Sequence, residues 1–78
     1  MSGEAAASLD LKGLKCPLPV LRTRKAMRKL AAGALLVVET TDPLAAIDIP
    51  HFCHEDGHDL LGHDRLEGSD RFTLRKGG

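Results

Sequence analysis

The chain contains no tryptophan and no tyrosine, and only two phenylalanines in 78 residues. Its core must therefore be aliphatic, and it lacks the interleaved aromatic side chains on which unpaired bases stack, so direct nucleic-acid binding is not expected. No apolar run approaches the ~18 residues of a membrane span. The first eight residues show no basic stretch followed by an apolar one, so no secretory signal is expected. Net charge is also absent: eleven basic residues balance eleven acidic ones, and global charge selects no class of partner. Cysteine is limited to Cys16 and Cys53. Two cysteines without a secretory signal fit a reducing cytoplasm, where thiols react or are buried. The length implies a single domain with a modest core.

The stretch richest in chemistry is Gly13-Leu14-Lys15-Cys16-Pro17-Leu18-Pro19. Proline suits the first turn of a helix, where the N–H groups have no intrahelical partner. Pro17 and Pro19 thus predict a helix that starts at Pro17, with Cys16 as its N-cap beside the positive end of the helix dipole. That setting, with Lys12 and Lys15 nearby, predicts a lowered thiol pKa and a reactive thiolate.

Residues 1–8 read as a flexible tail, followed by a single domain over 9–76 and a flexible end at 77–78. Leu9-Asp10-Leu11 alternates as a short strand. The first helix is predicted from Pro17 to about Ala32, with Val20, Thr23, Met27, Leu30 and Ala31 facing the core and Gly33 ending it. Ala34 to Thr40 is an apolar, partly β-branched run and reads as a central strand buried on both faces. Asp42-Pro43 opens a second helix bearing Ala45, Ile49, Phe52 and Cys53 on its apolar side. Pro50 predicts a kink or a restart capped by Asp48, and Gly57 ends the helix. A weak strand covers His58 to Glu67, a turn covers Glu67 to Asp70, and Arg71 to Arg75 alternates as a half-buried strand. The resulting fold class is α/β (α+β), in the order β-α-β-α-β-β, with both helices on one face of the sheet.

The segment Leu11 to Pro19 resembles the Cys-Pro-x-Pro signature of the TusA-like (SirA-like) sulfur-carrier family. Asp42-Pro43, then Asp48-Ile49-Pro50 with Phe52-Cys53, then Gly57-His58 with Leu60, resemble that family's second helix and third strand. The likeness spans nearly all of the chain after Ser8. It implies a two-layer α/β sandwich with a mixed four-stranded sheet in the order 1-2-4-3. It also implies that Cys16 takes a persulfide sulfur from a cysteine desulfurase or rhodanese-type donor and passes it to an acceptor protein. Such relays serve tRNA thiolation, molybdenum-cofactor enzymes, sulfur oxidation and selenium metabolism. Gly13, Pro17 and Pro19 would orient the thiol. No cofactor is implied beyond the transient sulfur on Cys16. The protein is expected to be a cytoplasmic, monomeric carrier with sulfurtransferase chemistry rather than an enzyme turning over alone.

Other readings of the same residues differ in what they require. A thiol redox module would pair Cys16 with Cys53, although Cys53 beside Phe52 reads first as a buried core residue. A regulatory or RNA-associated domain would use the fold as a scaffold only. From Lys12 to Lys29 there are seven basic and no acidic residues, whereas nine of the eleven acids lie between Glu39 and Asp70. This basic run is either a solvated helix face or a docking surface for acidic partners, with Lys15, Arg22 and Lys25 as its candidate contacts. His51, Cys53, His54, His58 and His63 do not match a common zinc spacing and read as exposed histidines around a turn, so no metal site is expected. The terminal Gly77-Gly78 resembles the end of ubiquitin-like sulfur carriers, but a helix directly after the first strand does not fit their β-grasp architecture.

Overall fold

The computed structural model describes residues 6–77. The order is β1 (Ala6–Leu11), α1 (Leu18–Arg28), β2 (Leu35–Thr40), α2 (Ala45–Asp56), β3 (Asp59–Leu66) and β4 (Ser69–Arg75). The strands form one sheet in the order β1-β2-β4-β3. β1 and β2 are parallel, and both other pairings are antiparallel. The predicted element order and sheet are therefore present.

β1 begins at Ala6 rather than Leu9, so part of the expected tail belongs to the sheet; residues 1–5 and Gly78 lie outside the described residues. The other end is also tied down. The Lys76 amide donates to the Ala34 carbonyl, and the Gly77 amide donates to Nδ1 of His58 at 3.0 Å. A side chain at Gly77 would collide with the Gly57 carbonyl. Gly77 thus packs against the turn between α2 and β3.

β2 is central but not buried on both faces. Leu36, Val38 and Thr40 point under the helices, while Leu35, Val37 and Glu39 are half-buried on the open face. The open face is held by charge pairs, Arg71 with Glu39 and Arg75 with Asp59 at 2.8 Å. The covered face contributes Leu11, Leu36, Val38, Phe72 and Leu74, which meet Met27 from α1 and Ala45, Ile49, Phe52 and Cys53 from α2. Ala31 is exposed and lies beyond α1, which ends at Arg28. Thr23 is fully buried because its hydroxyl donates to the Pro19 carbonyl at 2.7 Å.

Pro50 neither breaks α2 nor restarts it; the helix is continuous from Ala45 to Asp56. A proline there forfeits one backbone hydrogen bond, while Ile49, Phe52 and Cys53 anchor the same turns in the core. Gly57 closes the helix in the left-handed region at φ 76, as its sequence position predicts.

Ser69 and Asp70 belong to β4 rather than to the turn, which reduces to Glu67-Gly68. Asp70 is buried and ionised. His63 and Arg65 both contact its carboxylate at 3.0 Å, and the His63 bond, then Arg65, holds its pKa below the usual carboxylate range against the opposing effect of burial.

Candidate functional site

β1 and β2 lie side by side and run the same way, so the segments that follow them emerge together at one end of the sheet. Leu11 is in register with Thr40. The next residues are stitched across this gap: the Gly13 amide donates to Oγ1 of Thr41 at 2.9 Å, and the Cys16 amide donates to Oδ2 of Asp42 at 2.6 Å. The other Asp42 oxygen accepts the Leu44 amide at 3.2 Å. Gly13 adopts φ 87, which favours glycine, and turns the chain towards this bridge. Two helix N-termini are thereby brought together beyond the carboxyl ends of parallel strands, a recurrent place for function in α/β folds.

Cys16 is exposed and precedes the N-cap, which is Pro17; Pro19 is the second residue of α1. Cys16 is therefore not the cap itself. Its thiol faces α2 and donates to Oδ2 of Asp48 at 3.1 Å. The expected thiolate is not the resting state. The Asp48 hydrogen bond raises the Cys16 pKa, partial desolvation adds to it, and the charges of Asp48 and Asp42 act in the same direction.

The reason is local. Pro17 and Pro19 have no N–H, and the Leu18 amide is already bonded to the Lys15 carbonyl. The end of α1 thus presents few donors to a sulfur anion. A helix end is worth about half a unit charge, whereas Asp48 places a whole negative charge in contact. Lys12 is turned away, pairing with Asp10 at 3.3 Å and Glu39 at 3.8 Å.

A groove between the helices runs from this point and is lined by Pro17, Val20, Arg24, Asp48, His51 and Phe52. Arg24 lies over the Phe52 ring and pairs with Asp56 at 3.5 Å. His51 pairs with Glu55 at 3.6 Å. Leu18, Leu44 and Ile47, on the opening turns around Cys16, leave large apolar side chains exposed.

The candidate docking residues are not gathered around the thiol. Arg22 and Lys25 line a different groove, between α1 and β1, together with Lys29, Leu9, Leu11 and Leu30. Lys15 is exposed next to Cys16. Cys53 is buried in the core, and burial, then Asp59 and Asp56, push its thiol up to about 11. Among the described residues, no group of three or more His, Cys, Asp or Glu side chains converges on a possible metal position. His58 and His63 are not idle surface residues: His58 packs on Phe52, and His63 stacks on Phe72 with ring centroids 4.3 Å apart. Asp42 and Asp48 also belong to the site, although in the sequence their places signal only helix caps. Among the described residues, no helix is long and apolar enough to cross a membrane.

Fold and site define a small two-layer α/β protein that presents one accessible thiol at the mouth of a helix pair. The chain belongs to the TusA family: residues 7–76 match the family described as "Sulfurtransferase TusA". It is 47% identical to the "Sulfur carrier protein TusA" of Pseudomonas entomophila strain L48 over 70 residues, covering 90% of this chain and 88% of that one. The protein of the same name from Pseudomonas putida strain F1 is 46% identical with the same coverage. The crystal structure of a SirA-like protein from Desulfitobacterium hafniense superposes with a TM-score of 0.81, covering 92% of this chain and 99% of the other. At 23% identity it speaks to the fold alone.

Proposed function

We propose that this protein is a sulfur-relay carrier whose Cys16 accepts a persulfide sulfur from a cysteine desulfurase or rhodanese-type donor and hands it to an acceptor protein. The observation that carries this reading is the contrast between the two cysteines. Cys16 is exposed and fixed through its backbone by Asp42, whereas Cys53 is buried with its pKa at about 11. A carrier needs an accessible sulfur and little else, because its partner supplies the remaining catalytic groups. A redox module would need Cys53 as the attacking thiol, and burial with a raised pKa opposes that role.

The exposed Leu18, Leu44 and Ile47 offer apolar contact around Cys16, as expected of a surface that meets other proteins. The relatives named as sulfur carriers support the same function. The test is transfer of radiolabelled sulfur from cysteine through a desulfurase: the protein becomes labelled, reducing agent removes the label, and prior alkylation of Cys16 prevents labelling. Label that persists through reduction, or enters the alkylated protein, contradicts the reading.

The basic groove of Arg22 and Lys25 is assigned to partner docking. Long-range attraction between charged surfaces acts on encounter rate and is screened by salt. Reversing both charges (Arg22→Glu with Lys25→Glu) should slow sulfur transfer from the partner by roughly tenfold at low salt. Alkylation of Cys16 by a neutral reagent should not change. An equal fall in both rates would make the face structural rather than a docking surface.

A further inference from the structure

We propose that Asp48 is the proton acceptor and donor of the sulfur-transfer step, taking the proton of Cys16 as its sulfur attacks and returning it to the thiolate that leaves. This rests on the sulfur-carrier reading above and assigns a catalytic residue to it. Among the described residues, Asp48 is the side chain in hydrogen-bond contact with the Cys16 thiol. Its Oδ2 is the acceptor of the Cys16 S–H at 3.1 Å, across 32 residues of sequence. In this bond the thiol donates and the carboxylate oxygen accepts, so the proton belongs to sulfur at rest.

Asp48 sits in the first turn of α2, where the helix end favours its negative charge. Among the described residues no cation lies within ion-pair distance of it. Lys15 is exposed beside Cys16, while the other nearby basic side chains have partners of their own. Arg24 of α1 pairs with Asp56, and His51 of α2 pairs with Glu55. Asp42 uses both carboxylate oxygens on backbone amides and so holds the loop rather than the sulfur. Ile49, the next residue along α2, is buried in the core and anchors the turn that carries Asp48.

The step balances with a persulfide donor R–S–SH. Sγ of Cys16 attacks the outer sulfur; the new S–S bond forms and the bond from that sulfur to R–S breaks. Cys16 is oxidised to the persulfide level, and the inner donor sulfur is reduced to a thiolate. The proton moves from Sγ to Asp48 as the S–S bond forms, then from Asp48 to R–S⁻. The products are Cys16–S–SH and R–SH. A carboxylate is a weak base towards a resting thiol. The transfer therefore occurs only as bonding to the donor makes the thiol acidic, which leaves Cys16 quiet between encounters.

Asp48→Asn keeps the shape of the side chain and removes its charge and basicity, so it separates two roles of the carboxylate. Two rates are measured across pH: alkylation of Cys16 by iodoacetamide, and sulfur loading from glutathione persulfide read by mass. Without the carboxylate the thiol ionises at lower pH, so alkylation near neutrality rises severalfold. Loading falls by about tenfold or more, as expected when a positioned acid–base group is lost, and Asp48→Glu restores part of it. Loading that rises in step with alkylation would overturn the proposal, because Asp48 would then be only a brake. Loading and alkylation that fall together with the melting temperature would overturn it in favour of a structural role. If the unmodified protein itself takes no sulfur, while Cys16 is alkylated normally, it is the carrier reading that fails.

Discussion

Cys16→Ser is expected to abolish sulfur loading completely while leaving the melting temperature within error of the original. Serine preserves what the structure uses Cys16 for locally. Its amide still reaches Asp42, and its hydroxyl can donate to Asp48 as the thiol does. The side chain is exposed, so no core volume changes. The chemistry does not survive, because an alcohol is a far weaker nucleophile and forms no persulfide. Cys53→Ala should give the reverse pattern. It removes a buried sulfur next to Ile49 and Phe52 and should lower the melting temperature by the margin of a small cavity, with full loading on Cys16. Thermal denaturation and mass analysis of both variants check the pair. A Cys16→Ser protein that loads, or a Cys53→Ala protein that does not, removes the assignment.

Phe72→Ala should bring the fold close to collapse. Phe72 is the largest fully buried side chain and lies on β4 in the middle of the sheet. It faces Val38 across the β2 pairing and His63 across the β3 pairing, and the His63 ring stacks upon it. The chain's other phenylalanine, Phe52, already occupies its own place in the core on α2. Truncations of this kind cost about 3–5 kcal/mol, against a total stability on the order of 5–15 kcal/mol for ordinary domains and less for small ones. The stacking partner of His63 is lost as well, which loosens the bond from that ring to buried Asp70. Urea unfolding should show a midpoint near zero denaturant. A midpoint lowered by less than a quarter would mean that the rest of the core sustains the fold without Phe72.

Much of the fold was legible in the sequence because it depends on signals that are local. Glycine at a helix end, proline at a helix start and the alternation of Arg71 to Arg75 each state their structure within a few residues. The misreadings have one origin, the partners supplied by distant segments. Leu35 and Val37 hid the alternation of β2 because they are apolar on a face that no helix covers. Pro50 carried a break signal that the core contacts of Ile49, Phe52 and Cys53 overrode. The thiol was the more telling case. Proline and a helix end argue locally for a lowered pKa, but the residue in contact with the sulfur is Asp48, reachable only because β1 and β2 are parallel neighbours. Asp42 and Asp48 were visible as Asp-Pro and Asp-Ile-Pro elements. Their closeness to Cys16 was not, since it arises from strand pairing.

The central claim is that one sulfur atom travels on Cys16. The most direct measurement is peptide-resolved mass analysis of the protein after incubation with a cysteine desulfurase and cysteine, before and after exposure to a thiol acceptor. One added sulfur is expected on the peptide containing Cys16 and none on the peptide containing Cys53, with loss of that sulfur when the acceptor is added. An added sulfur on Cys53, or on neither cysteine, would contradict the claim.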